Sequence, residues 1–137
     1  MVSCLFLSLS LSWGDDFKKA YDAYQKKEYA IAFKGFKKLA EQRGAHAQFN
    51  LGEIYRRGYG VPQDYREAVR WYTLAAEKGY VDAMFNLGVI YKDGIGANQD
   101  KVYSHMWWNI AASYGDDEAR EERKKLEKSI FFFLYFL

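Results

Sequence analysis

The side chains in this 137-residue chain that are equipped for chemistry are few, and their spacing argues against catalysis. Its two histidines, His46 and His105, fall on different expected helices, and no His-Glu-x-x-His or similar ligand spacing surrounds either. They read as surface or partly buried side chains, not a metal pair. Asp15-Asp16 and Asp116-Asp117 are paired acids of the type used in general acid–base work. Each pair is expected to open a helix, where negative charge meets the positive end of the dipole, so capping is the reading that follows. Gly58-x-Gly60 and Gly94-x-Gly96 resemble fragments of phosphate loops. Such a loop needs Gly-x4-Gly-Lys-Ser/Thr after a strand, and neither the lysine nor the strand is there, so both read as turns. The single cysteine, Cys4, excludes a disulfide within the chain and a cysteine-ligated zinc site. No Ser/His/Asp or Cys/His set can be assembled. The chain is therefore read as a non-enzyme, with no catalytic residue, metal or cofactor.

Trp71, Trp107 and Trp108 are the remaining candidates, as a stripe on which a ligand could stack. Trp71 and Trp107 recur at the same phase of a repeat, which marks them as core. That repeat is the element that must position everything else. Residues 45–80 align with 81–116 without a gap, and fifteen of the 36 positions are identical. Asn50-Leu51-Gly52 returns as Asn86-Leu87-Gly88, Gly58 and Gly60 as Gly94 and Gly96, and Gln63-Asp64 as Gln99-Asp100. Ala75-Ala76 returns as Ala111-Ala112, and Gly79 as Gly115. A period of this length is the signature of a stacked helical array.

Each unit parses into two helices. The first spans about Ala45 to Arg57, with Ala47, Leu51, Ile54 and Tyr55 on one face. Gly52 lies on that face, and a repeated mid-helix glycine, which costs about 1 kcal/mol against alanine, points to close helix approach. Gly58 suits a left-handed helix end, and Asp64 is a plausible N-cap for a second helix over about Tyr65 to Lys78. Ala68, Trp71, Tyr72, Ala75 and Ala76 form the apolar stripe of that second helix. A short connection makes the two antiparallel, and neither hairpin buries its stripe alone, so units must stack.

The run Ala-x3-Leu-Gly-x2-Tyr-x2-Gly-x-Gly-Val-x2-Asp-x3-Ala-x2-Trp-Tyr-x2-Ala-Ala-x2-Gly from Ala47 to Gly79 resembles the Sel1-like repeat, a relative of the tetratricopeptide repeat. The resemblance implies an all-α fold, a short right-handed α-solenoid of antiparallel helix pairs. It covers 45–80 and 81–116 closely, and the second unit departs from it at Ala97, Asn98 and Ser104. Residues 15–44 resemble a degenerate opening unit, with Arg43 read as an insertion before Gly44. After Gly115 the pattern breaks. Ala119 keeps its place, but Arg123 and Lys124 stand where Leu-Gly would, so 117–130 reads as a capping helix.

The two ends differ in character from the repeats. Residues 1–14 carry no charge and resemble a secretory signal without its positive start, so export to the periplasm or medium is expected if it is one, and a cytoplasmic location otherwise. Residues 131–137 are seven apolar residues, too few to span a bilayer, which needs about 20. No role is assigned to them, and their β-propensity makes them an aggregation hazard if exposed. The net charge of +2 is too small to argue for nucleic acid, and lysine pairs such as Lys37-Lys38 read as solvated helix faces.

The expected function is a protein–protein interaction module, an adaptor or scaffold that takes a peptide or small protein on the concave face. That face is formed mainly by the first helix of each unit. The positions its stripe leaves free are Gln48, Phe49, Glu53, Arg56 and Arg57, with counterparts Met84, Phe85, Val89, Lys92 and Asp93. Family resemblance implies the same role, since its members serve as adaptors. The alternative is a secreted enzyme of the repeat family that binds or hydrolyses β-lactams. The absence of cysteine pairs within the repeats disfavours it.

Overall fold

The computed structural model describes the backbone of residues 2–136 and side chains from residue 12 onward, so Met1, Leu137 and the side chains of the apolar start, including Cys4, lie outside the described residues. The described chain is all helix and loop. Seven helices follow in order: α1 (Val2–Gln25), α2 (Tyr29–Glu41), α3 (Ala45–Arg57), α4 (Tyr65–Ala76), α5 (Val81–Asp93), α6 (Lys101–Ser113) and α7 (Asp117–Tyr135). Each packs chiefly against its neighbours in sequence, which makes the fold an all-α solenoid.

The element ends follow from local chemistry. Asp64 and Asp100 cap α4 and α6, each side chain accepting from the backbone N–H two and three residues on. Gly58 and Gly94 end α3 and α5 at φ of 70° and 74°, a conformation glycine adopts without strain. The connecting loops close identically: Gln63 Nε2 donates to the Arg56 carbonyl at 2.7 Å, and Gln99 Nε2 to the Lys92 carbonyl at 2.7 Å. These bonds satisfy orphan carbonyls at the helix ends.

Two cores fill the stack, and α4 is the wall between them. Leu39, Leu51, Ile54 and Trp71 belong to the first; Tyr72, Leu87, Trp108 and Leu126 belong to the second. Trp71 and Tyr72 are adjacent in sequence yet enter different cores. A Cβ on Gly52 would lie 2.7 Å from Cε1 of Tyr72, and one on Gly88 would lie 2.7 Å from Cε2 of Trp108. The repeated mid-helix glycine thus makes room for a ring from the partner helix. The loops join successive units: a Cβ on Gly60 would meet the backbone of Tyr29, and one on Gly96 that of Tyr65. Tyr59 stacks on Tyr29 with ring centroids 4.2 Å apart.

Several expectations need correction. Asp15-Asp16 opens no helix, because α1 runs unbroken through it; Asp16 instead accepts from Lys38 Nζ at 3.3 Å. Asp116 does cap α7, accepting from the Ala119 N–H. Arg43 is not an insertion. It sits at φ 68°, in the place taken one and two periods later by Gly79 (86°) and Gly115 (94°). The same helix-ending bond recurs at all three junctions, from the Gly44, Tyr80 and Asp116 N–H to the Leu39, Ala75 and Ala111 carbonyls. Trp107 is only half-buried, whereas Trp108 is fully enclosed, at the position of Tyr72. The Arg70 guanidinium lies 4.3 Å over the Trp71 ring, and Met106 stands at its position in the next unit. Finally, α7 continues to Tyr135, so Phe131–Phe136 extend a helix or its end with every side chain exposed.

Candidate interaction surface

The expected binding positions lie on α3 and α5, and the structure divides them into buried and accessible sets. Gln48 and Met84 are not free. Gln48 is 2% exposed; its Nε2 donates to the Ala40 carbonyl and its Oε1 accepts from Lys78 Nζ at 3.0 Å. Met84 is 3% exposed and part of the second core. Both occupy the fourth position of their helix, off the stripe that meets the partner helix. The repeat pattern shows the stripe facing the partner helix but not the flank facing the neighbouring unit.

Glu53 is accessible only at its margin, with a side-chain exposure of 13%. It is the centre of a polar cluster joining three helices. Arg56 donates through Nε at 3.0 Å and Nη2 at 2.8 Å, Arg57 through Nε at 2.9 Å, and Asn86 of α5 through Nδ2 at 3.3 Å. Tyr72 of α4 donates its hydroxyl to the same carboxylate. Burial pushes the Glu53 carboxyl up, but the bonds from Arg56, Tyr72 and Arg57 outweigh it and hold it at about 2. Burial and the adjacent Glu53 charge push the Tyr72 hydroxyl well above the ordinary tyrosine range. Glu53 is therefore a fixed anion that ties α3, α4 and α5 together.

In the next unit this position is Val89, and Trp108 stands in place of Tyr72. The polar cluster is replaced by an apolar contact, with the Trp108 Nε1–H donating to the Phe85 carbonyl at 3.2 Å. Ser104, where the first unit has Ala68, donates to the Gly88 carbonyl at 2.7 Å. The two units thus reach one geometry by different chemistry.

Phe49, Phe85 and Val89 are half-buried, and Phe49 packs with Tyr80 at 4.8 Å between ring centroids. Arg57 and Asp93 are exposed, and Arg56 and Lys92 are partly so. Lys92 lies 5.7 Å over the Trp108 ring. The structure thus brings Arg56 and Arg57 together around Glu53 and leaves Lys92 and Asp93 as the corresponding pair one unit on. The equivalent positions 57 and 93 carry opposite charge. Sequence reasoning missed Asn86, Tyr72 and Gln63 as partners of this face. The identities Asn50/Asn86 and Gln63/Gln99 were the available signal.

The histidines are apart: His46 is exposed on α3, and His105 on α6 pairs with Glu127 Oε1 at 2.7 Å. Among the described residues no group of three or more His, Cys, Asp or Glu side chains is placed to hold a metal. No helix among them is long and apolar enough to cross a membrane.

The tandem hairpins, with glycines admitting rings and paired loop glutamines, define a class of helical repeat protein. The Sel1 repeat model matches residues 45–80 and 81–116, more than half of the chain, and the chain belongs to that family. A Sel1 repeat protein from Oxalobacter formigenes is 30% identical, with a TM-score of 0.76 over 80% of this chain and 45% of that one. The protein c5321, a protective antigen of uropathogenic Escherichia coli with the same repeat fold, is 38% identical, with a TM-score of 0.77 over 80% of this chain and 24% of that one. Helicobacter pylori cysteine-rich protein B shares the fold at 18% identity and a TM-score of 0.64, over 80% of this chain and 93% of that one. The chain thus spans less than half the length of the first two structures. No curated protein matches it. Sel1 repeat proteins are in general protein-interaction modules.

Proposed function

We propose that the chain is a non-catalytic adaptor that binds a peptide or small protein across the C-terminal halves of α3 and α5, the face expected to be concave. The observation that carries this reading is the contrast between frame and face. Fifteen positions are held between the units. The exposed residue at the end of the first helix changes, from Arg57 to Asp93, and so does its partly exposed neighbour, from Arg56 to Lys92. Residues that hold the fold are constrained alike in both units, whereas residues that read a partner are free to differ. Half-buried Phe49 and Phe85 supply apolar anchors beside Arg57, residue types that interfaces favour, with Lys92 and Asp93 as a polar rim.

The test is selection from a random peptide library on the immobilised chain, followed by affinity measurement with Arg57→Glu and Asp93→Lys. Both lie at exposed positions outside the cores. At least a fivefold loss of affinity with either is expected. Selected peptides that bind both variants and the parent alike would refute this face. Arg57 also donates to Glu53, through one nitrogen, so Asp93→Lys, which touches no member of that cluster, is the deciding variant; Arg56, bound to the inner Glu53 through two nitrogens, is not used.

Export is part of the proposal, supported by the uncharged apolar run 1–14. Fractionation of the producing cell with N-terminal sequencing tests it, and an intact N-terminus in the cytosol would refute it.

A further inference from the structure

We infer that a cleft at the other end of the helices, between the end of α2 and α4, is a second binding site that takes a carboxylate group of a peptide. The cleft holds about 360 Å³. Trp71 forms one wall, Ala40 and Leu74 give it an apolar floor, and Arg43 and Lys78 stand at its rim. It lies away from the Glu53 cluster, so this goes beyond the adaptor face.

Three independent features mark it as a site rather than a packing gap. The first is Trp71. Its ring is 6% exposed, yet its Nε1–H finds no acceptor among the described residues. The indoles of Trp13 and Trp108 both donate, to Gln42 Oε1 and the Phe85 carbonyl. A buried donor left unpaired is costly, and an acceptor brought by a ligand removes that cost.

The second feature is Arg43. It holds the left-handed conformation that Gly79 and Gly115 hold in the later units. A non-glycine residue there is strained, and strain of this kind collects at functional positions. The Arg43 guanidinium has no ion-pair partner among the described residues. Its side chain, not its backbone, is what glycine lacks.

The third is the fastening of the rim. Lys78 Nζ donates to the Arg43 carbonyl at 2.5 Å and to Gln48 Oε1 at 3.0 Å, which leaves one of its three N–H groups unused. One period later these positions are Gly79, Met84 and Tyr114, so the repeat fold does not need this polar set. Two cations face a single acid in the lining, Glu41.

The donors present are an indole N–H, a guanidinium fork and an ammonium, and no cleft group other than Glu41 and Gln48 accepts strongly. A carboxylate matches them: it takes the guanidinium in a two-point contact and the remaining ammonium N–H, and it reaches the indole proton once the Trp71 wall, whose nitrogen is closed to solvent, shifts to admit it. The carboxylate comes from a glutamate side chain or from a peptide's C-terminus, which share this chemistry.

The probes are three short peptides: N-acetyl-Ala-Glu-Ala-amide, its glutamine counterpart, and N-acetyl-Ala-Ala with a free carboxylate. The readout is the Trp71 indole ¹H–¹⁵N resonance, assigned by its loss in Trp71→Phe. A saturable downfield shift with one or both carboxylate peptides, and none with the glutamine peptide, is expected; the tighter of the two names the source. Arg43→Gly should melt higher than the parent yet bind at least tenfold more weakly. An unmoved Trp71 resonance, an equal response to glutamine, or undiminished binding by Arg43→Gly would overturn the inference. Peptides selected for the α3–α5 face should bind Arg43→Gly normally, so the failure of one site is distinguishable from failure of the other.

Discussion

Gly88 and Trp108 form a tight joint between α5 and α6: the indole of Trp108 occupies the volume in which a Cβ on residue 88 would sit, with Cε2 2.7 Å away. Gly88→Ala therefore sets two effects against each other. Helix propensity alone would stabilise by about 1 kcal/mol, while overpacking a rigid ring costs about 1–3 kcal/mol. A net loss of about 1 kcal/mol or more is expected in urea unfolding. A net gain in stability instead would show that the ring does not need the glycine.

Burial should separate two adjacent indoles. Trp108 is fully enclosed and Trp107 only half so. Trp108→Ala should cost about 3–5 kcal/mol, and Trp107→Ala about 1–2 kcal/mol. Thermal melts of the two variants test the order, and a larger loss at Trp107 would reverse the assignment of the core column.

The Glu53 cluster predicts a pH dependence. The carboxyl falls from an ordinary 4.5 to about 2 in the folded chain, so the folded state favours its anion. Its stabilising contribution is complete above about pH 4.5 and is lost as pH falls toward 2. Glu53→Gln should flatten the stability profile over that window. It should also lower stability at pH 7, by about 1–3 kcal/mol, because the Tyr72 hydroxyl and two guanidinium groups lose a charged acceptor. A Gln variant with the parent's acid limb would place that titration elsewhere.

Arg43→Gly should raise stability by about 1 kcal/mol or more by relieving a left-handed non-glycine backbone. For a chain of this size that is a rise of several degrees in Tm. An unchanged or lower Tm would mean that the Arg43 side chain holds the junction together.

Much of this fold was legible because the repeat states its own geometry twice. Asp64, Gly58 and the Leu51 column were readable from turn chemistry and period. What the period does not carry is lateral packing between units. Gln48 and Met84 looked free because they lie off the hairpin stripe; Gln48 is held by Ala40 of the preceding unit and Lys78 of its own, and Met84 sits in the second core. Trp71 and Trp107 looked like a core pair because they are identical, and Trp71 is indeed core at 6% exposure, but Trp107 is only half-buried. The enclosed column is the one after it, where Tyr72 and Trp108 differ in kind but both fill the space above a glycine. Asp15-Asp16 misled because nothing in a charge pair says whether the helix has already begun. Glu53 was read as a partner-facing acid; its bonds to Tyr72 and Asn86 come from helices 19 and 33 residues away.

Backbone amide chemical-shift mapping with a library-selected peptide decides whether the ends of α3 and α5 form the face that reads a partner. The largest shifts are expected to cluster in residues 49–57 and 85–93. Shifts concentrated on α2, α4 and α6, with those two segments unmoved, would contradict that assignment.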